Sequence, residues 1–228
     1  MSSTVQRICG WSGIAWVSVF TLGFWVIAGF IPPPSPNASA SVIAAFYDAN
    51  RTHIRVGLIL SAVVSGLFTV FSAGISMQLR RIEGRYAGLA NMQLALGTLV
   101  VLELLFPMMF WLVATFRPER SPESVQLIND LGWMPFVGIT STVLLQALAI
   151  AAAILLDRGD EPAFPRWLGY FNIWAGVLFT PGSVIAFFKT GPLAWDGVFA
   201  LYIPIGVFGI WILVMSHQLI KTAPSLDA

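Results

Sequence analysis

Apolar residues in this chain fall into long runs separated by short polar punctuation. Six runs stand out, at roughly 11–31, 54–79, 87–116, 132–156, 167–188 and 194–219. A helix needs about 20 mostly apolar residues to cross a bilayer, and each run has that length. The short segments of alternating polarity that mark a membrane barrel are absent. The pattern predicts an all-α polytopic membrane protein: six transmembrane helices in one bundle, with residues 1–228 as a single transmembrane domain. The first run is also too long for the h-region of a signal peptide, about 7–15 residues, so it is expected to remain as a span.

The polar connections carry patterns of their own. "IPPPSP" ends the first span, because proline donates no hydrogen bond and restricts the residue before it. "SASVIAAFYDANR" then reads as a short, serine-capped helix with Val42, Ala45, Phe46 and Ala49 on one face. That arrangement suits a helix lying in the membrane interface. "FRPERSPESVQLINDLGW" predicts a second short helix, starting at Ser121 or Ser124. Such helices either dock on lipid headgroups or cover a site.

Composition sharpens the class. Hydrophobic residues make up 57% of the chain and charged ones 10%, against about 25% charged in a soluble domain. The lipid bilayer is therefore the expected surrounding. The net charge is +1 and no basic run occurs, so nucleic acid is not an expected partner. Cys9 is the only cysteine, which rules out an intramolecular disulfide. An even number of spans puts both termini on one side, shared with Arg7, Arg80, Arg81, Arg85, Arg158, Arg166 and Lys221. Arg51, Arg55, Arg117, Arg120 and Lys189 fall on the other. The cluster "RRIEGR" in a short loop places the termini in the cytoplasm by the positive-inside rule.

Candidate chemistry centres on "VVLELLFPMMFW" in the third span. Glu103 lies near mid-span, where an ionised side chain is costly and acidic residues turn toward the protein interior. Pro107 follows four residues later, so the Glu103 carbonyl loses its helical donor and a kink is expected. Glu103 is the candidate general acid; its alternative role is a structural hydrogen bond between helices. Thr142 and Gln146, one turn apart in the fourth span, are candidate partners for it. In the fifth span Asn172, Gly176, Phe179 and Ser183 share a face, and "TPGS" interrupts the ladder. Pro204 bends the sixth span. Kinked helices leave carbonyls that need partners, which predicts a partly polar cavity. Phe106, Phe110, Trp111, Trp174 and Phe179 are candidate lining aromatics. The stripe Gly57, Ser61, Ser65, Thr69, Ser72 and Ser76 reads instead as a packing seam.

"FFKTGPLAWDG", at 187–197, reads first as a tight turn, with Trp195 in the interfacial belt and Lys189 snorkelling. Asp196 then begins the sixth span and is the second candidate acid; Lys189 and Trp195 are candidate ligand contacts. Asp48, Arg51, His53 and Arg55 gather on the same side as a candidate outer rim. No metal or cofactor is expected. The two histidines, His53 and His217, fall near opposite faces, and no nucleotide-binding or serine-hydrolase motif occurs.

The phrases "PPPSP", "AAFYDANRTHIRVG", "FRPERSPE", "FPRWLGYFN" and "FFKTGPLAWDG" together resemble a group of six-span bacterial membrane proteins of actinobacterial type. The resemblance covers nearly the whole chain. It implies a bacterial inner-membrane location and carries no activity with it.

Three functions fit these residues. The first is binding, with or without transformation, of a small lipophilic molecule such as a terpenoid, a sterol-like compound or a lipid. In that case Glu103 would protonate or isomerise an alkene or epoxide. The second is an accessory or assembly subunit of a larger membrane complex. The third is a proton-coupled transporter with Glu103 as relay, for which a homo-oligomer could supply two-fold symmetry.

Overall fold

The computed structural model describes residues 3–159 and 162–223, and among these every regular element is helical. Six helical stretches are long and apolar enough to cross a membrane: Thr4–Ile27, Ala40–Glu83, Gly88–Phe116, Pro122–Leu156, Arg166–Phe187 and Val198–Lys221. The chain is a multi-pass membrane protein. The stretches divide into α1 (Ser3–Thr21), α2 (Ala40–Val64), α3 (Gly66–Glu83), α4 (Gly88–Phe116), α5 (Pro122–Gly138), α6 (Ser141–Leu156), α7 (Arg166–Phe179) and α8 (Ile203–Lys221). Wider π-helical turns at Leu22–Ile27 and Val198–Tyr202 extend α1 and precede α8, and a tighter 3₁₀ segment, Thr180–Phe187, follows α7.

The two segments expected as separate interfacial helices are helical but are not separate. α2 runs on into α3 as a 44-residue rod, interrupted only where the Ser65 amide bonds to the Ala62 carbonyl. At 1.5 Å per residue such a rod is roughly 66 Å long, about twice the ~30 Å hydrocarbon thickness. α5 starts at Pro122, where the Ser121 hydroxyl accepts from the Ser124 amide, and leads to α6 through Ile139 and Thr140 alone. At the first junction Ser65 keeps helical torsions, and at the second only Ile139 is extended, so neither junction reverses the chain.

Both described ends of the chain meet on one side, where Gln6 donates to the Leu219 carbonyl at 2.9 Å. On the opposite side Trp195 Nε1 donates to the Pro34 carbonyl at 2.9 Å and Gln126 to the Ala38 carbonyl at 3.0 Å. Trp195 is thus buried as a staple between loops. Lipid supplies no hydrophobic drive for helix association, so close packing and hydrogen bonds must hold the bundle. The span-two stripe does this: Gly57, Ser61, Ser65, Ser72 and Ser76 are buried, and Ser76 donates to the Ala90 carbonyl of α4 at 2.9 Å. Two aromatic clusters fill the interior. Phe24, Phe30, Trp111, Trp133 and Phe136 form one; Trp16, Phe68, Phe71, Phe208 and Trp211 form the other.

Candidate functional site

Helical segments that carry prolines surround one cavity. In α4, Pro107 has no N–H for the Glu103 carbonyl. The α5–α6 junction follows Pro135 and leaves Ile139 extended. Pro181 turns α7 into the 3₁₀ segment, and Pro204 stands in the first turn of α8, after the π-helical turn. Among these segments lies a cavity of about 110 Å³. Its walls include Glu103 and Leu104 of α4, Phe136, Val137, Ile139 and Thr140 at the junction, Phe179 of α7, and Pro204 and Phe208 of α8.

Glu103 is the one ionisable side chain in this lining. Thr142 Oγ1 donates to Glu103 Oε2 at 2.6 Å. The other carboxyl oxygen makes no hydrogen bond among the described residues. Thr142 is the second residue of α6, and Thr140 occupies the cap position. The carboxyl group therefore sits at a helix N-terminus, where amide N–H groups lack helical partners and the dipole favours negative charge. The arrangement can anchor a carboxyl on one oxygen while its other oxygen serves a guest. The donor to Glu103 was readable from residue type; the helix end behind it was not, because the α5–α6 break is set by tertiary packing.

Gln146 does not reach Glu103. It donates to Ser72 Oγ at 3.2 Å and to Gln93 Oε1 at 3.3 Å, while Gln93 donates to the Ser72 carbonyl at 2.9 Å. This fully buried knot joins α3, α4 and α6, and the Gln146 carbonyl oxygen within it has no partner among the described residues. Asn172 is also consumed inside the fold, accepting from Trp211 Nε1 at 2.8 Å and donating to the Leu168 carbonyl at 2.8 Å.

The candidate aromatics divide. Phe179 lines the cavity. Trp111 is fully buried in the neighbouring aromatic cluster. Phe110 is half-buried against the core, whereas Phe106 and Trp174 are exposed on the outside of the bundle. Apolar residues on a lipid-facing surface are as favourable as inside, so hydropathy alone does not tell the two faces apart. Asp196 and Lys189 lie in the 188–197 connection and outside the cavity lining.

The rim residues act on a helix end. Arg51 donates to the Thr115 carbonyl at 2.5 Å, Arg55 Nη2 donates to the same carbonyl, and Arg55 Nε donates to Thr115 Oγ1 at 3.2 Å. Asp48 pairs with Arg51, and His53 is exposed. Two guanidinium groups thus cap the C-terminus of α4, where unpaired carbonyls and the dipole favour cations.

A nearby chain of side chains escaped the sequence reading. Tyr47 Oη donates to Asn129 Oδ1 at 3.0 Å, Asn129 Nδ2 donates to Asp130 Oδ1 at 3.1 Å, and Trp111 Nε1 donates to the Asn129 carbonyl at 3.3 Å. Its signal was the polar pair within "INDLGW", which reads as solvent-facing until α5 is seen to pack on α2 and α4. Among the described residues, no group of three or more histidine, cysteine, aspartate or glutamate side chains is placed to hold a metal ion.

Comparison with protein-family models, with curated proteins and with solved structures finds no match to this chain.

Proposed function

We propose that the protein binds a small lipophilic molecule in the Glu103 cavity and that Glu103 shares or donates a proton to it. One observation carries the reading. An apolar cavity inside the bundle contains a single carboxyl group, held on one oxygen by Thr142 and free on the other. Pockets that combine apolar walls with very few placed polar groups are the usual form of small-molecule sites. If chemistry follows binding, it is isomerisation of an alkene or opening of an epoxide. A proton passes from the carboxyl to the alkene carbon, or to the epoxide oxygen, whose C–O bond breaks. In both cases a proton from a neighbouring C–H returns to the carboxylate, leaving a shifted alkene or an allylic alcohol, so no redox partner is needed.

Native mass spectrometry on protein extracted gently from its own membrane tests this, beside Glu103→Gln. A small molecule bound to the wild type and lost from the variant is expected. A bare wild-type chain, or equal retention by both, would sink the role assigned to Glu103.

A second reading draws on a different observation. Interrupted helices meeting at a central site are how many secondary transporters build a binding site, and the α5–α6 break at Ile139 and the Pro204 turn of α8 both line the cavity that holds this acid. Proton-coupled transport predicts solute uptake into proteoliposomes that follows an imposed proton gradient. Under either reading we place the chain in a bacterial inner membrane with both termini cytoplasmic, on the strength of "RRIEGR" and the outer-loop phrases.

A further inference from the structure

Beside the Glu103 cavity lies a second hollow of about 130 Å³, between the first span and the last. Its origin is a change in packing along the two helices. On the side of the termini α1 and α8 touch closely: a Cβ added to Gly10 would come within 3.0 Å of the Ser216 carbonyl. Toward the opposite side the first span widens into its π-helical turn, and α8 presents Gly206 and Gly209. A Cβ at either glycine would meet no atom within 4 Å. Among the described residues no side chain fills that space, and a slot remains.

Thr21, Trp25 and Gly206 line the slot and are also exposed, so it opens on the outer circumference of the bundle. Its inner wall is formed by Leu104, Phe136, Ile205 and Phe208, and these same four residues line the Glu103 cavity. Three of the four are only half-buried, so rotamer changes in this partition would join the two hollows.

We propose that the slot holds the hydrocarbon chain of a linear lipid drawn sideways from the bilayer, with the end of the chain reaching Glu103. This rests on the reading of the Glu103 cavity and narrows its substrate class. The opening faces lipid tails, which are the apolar molecules present at that depth. The walls offer a chain apolar contact, with Thr21 the only hydroxyl among them. A slot of about 130 Å³ has room for several methylene groups. Two such chambers joined through a partition of side chains suit a narrow, bending chain. A rigid fused-ring molecule would have to displace the partition whole.

The test uses a fatty acid with a diazirine at its chain end, added to the full-length protein in phosphatidylcholine vesicles and photolysed. Labelled residues are mapped in the wild type, Gly206→Leu and Gly209→Leu. Leucine has the higher helix propensity and meets open space at both positions, so the variants keep the fold. Wild-type label is expected on the 16–31 segment, on 204–209 and around Glu103. Gly206→Leu should reduce it about tenfold, while label on the exposed face of α7 at Trp167 and Trp174 stays unchanged. Equal labelling of slot and α7 in the wild type, or slot labelling untouched by both leucines, overturns the slot. The cavity reading has its own readout: loss of bound mass in Glu103→Gln with both leucines inert would leave the cavity standing without its slot.

Discussion

Glu103 is held by one hydrogen bond, and cutting that bond differs from neutralising the carboxyl. Thr142→Val keeps the shape and removes the donor, leaving the half-buried carboxyl without its partner. An unmade buried hydrogen bond costs about 1–3 kcal/mol, so thermal unfolding in detergent should occur at a lower temperature. Glu103→Gln still offers Thr142 an acceptor. Its stability should change by less than about 1 kcal/mol, while bound ligand is lost. A variant that loses both equally would mark Glu103 as structural glue. Gly132 makes the opposite kind of point. Its Cα lies against the indole of Trp111, and an added Cβ would overlap the ring. Gly132→Ala should therefore destabilise by about 1–3 kcal/mol through overpacking, measured in the same melts. Glu103 was legible in the sequence because an acid inside an apolar run is conspicuous. Gly132 was not, since a glycine reveals its purpose only when the residue it faces is known.

Among the elements, the prolines matter more than the helix lengths. Pro107→Ala restores an amide donor to the Glu103 carbonyl. Removing an interior proline relieves a penalty of about 3 kcal/mol in an ordinary helix. The variant should melt later, and should retain less ligand if Pro107 shapes the cavity wall; unchanged retention would free the cavity from that residue. At the far end of α4, Arg51 and Arg55 converge on its last carbonyls. Arg55→Ala should cost about 1 kcal/mol of stability, with faster amide exchange confined to residues near Thr115. The prolines could be read directly as interruptions. The extended Ile139 could not, because "GITS" continues a helix as readily as it breaks one until the 3₁₀ segment packs beside it.

For the whole molecule, six spans put the 84–88 turn with the termini and the 117–121 loop opposite them. Cys9 is buried, so introduced cysteines can report topology alone. In intact cells a membrane-impermeant thiol reagent should label Ser121→Cys and spare Tyr86→Cys, with Tyr86→Cys reacting after lysis. The reverse pattern would invert the orientation, and equal labelling of both would contradict the crossing of the membrane by α4, the one span between them.

Class, span number and the proline interruptions were settled by the sequence alone, because crossing hydrocarbon demands long apolar runs and every backbone N–H and C=O must find a partner within them. These are local requirements, written residue by residue. Which face of each helix meets protein and which meets lipid was decided only by the tertiary structure. Both faces are apolar, so no amphipathic pattern separates Phe179 at the cavity from Trp174 on the outside. The same reason hid the partner of Gln146, the helix end behind Glu103 and the slot beside Gly206. Each depends on which helices stand together, and in a bilayer that choice rests on shape and on a few hydrogen bonds.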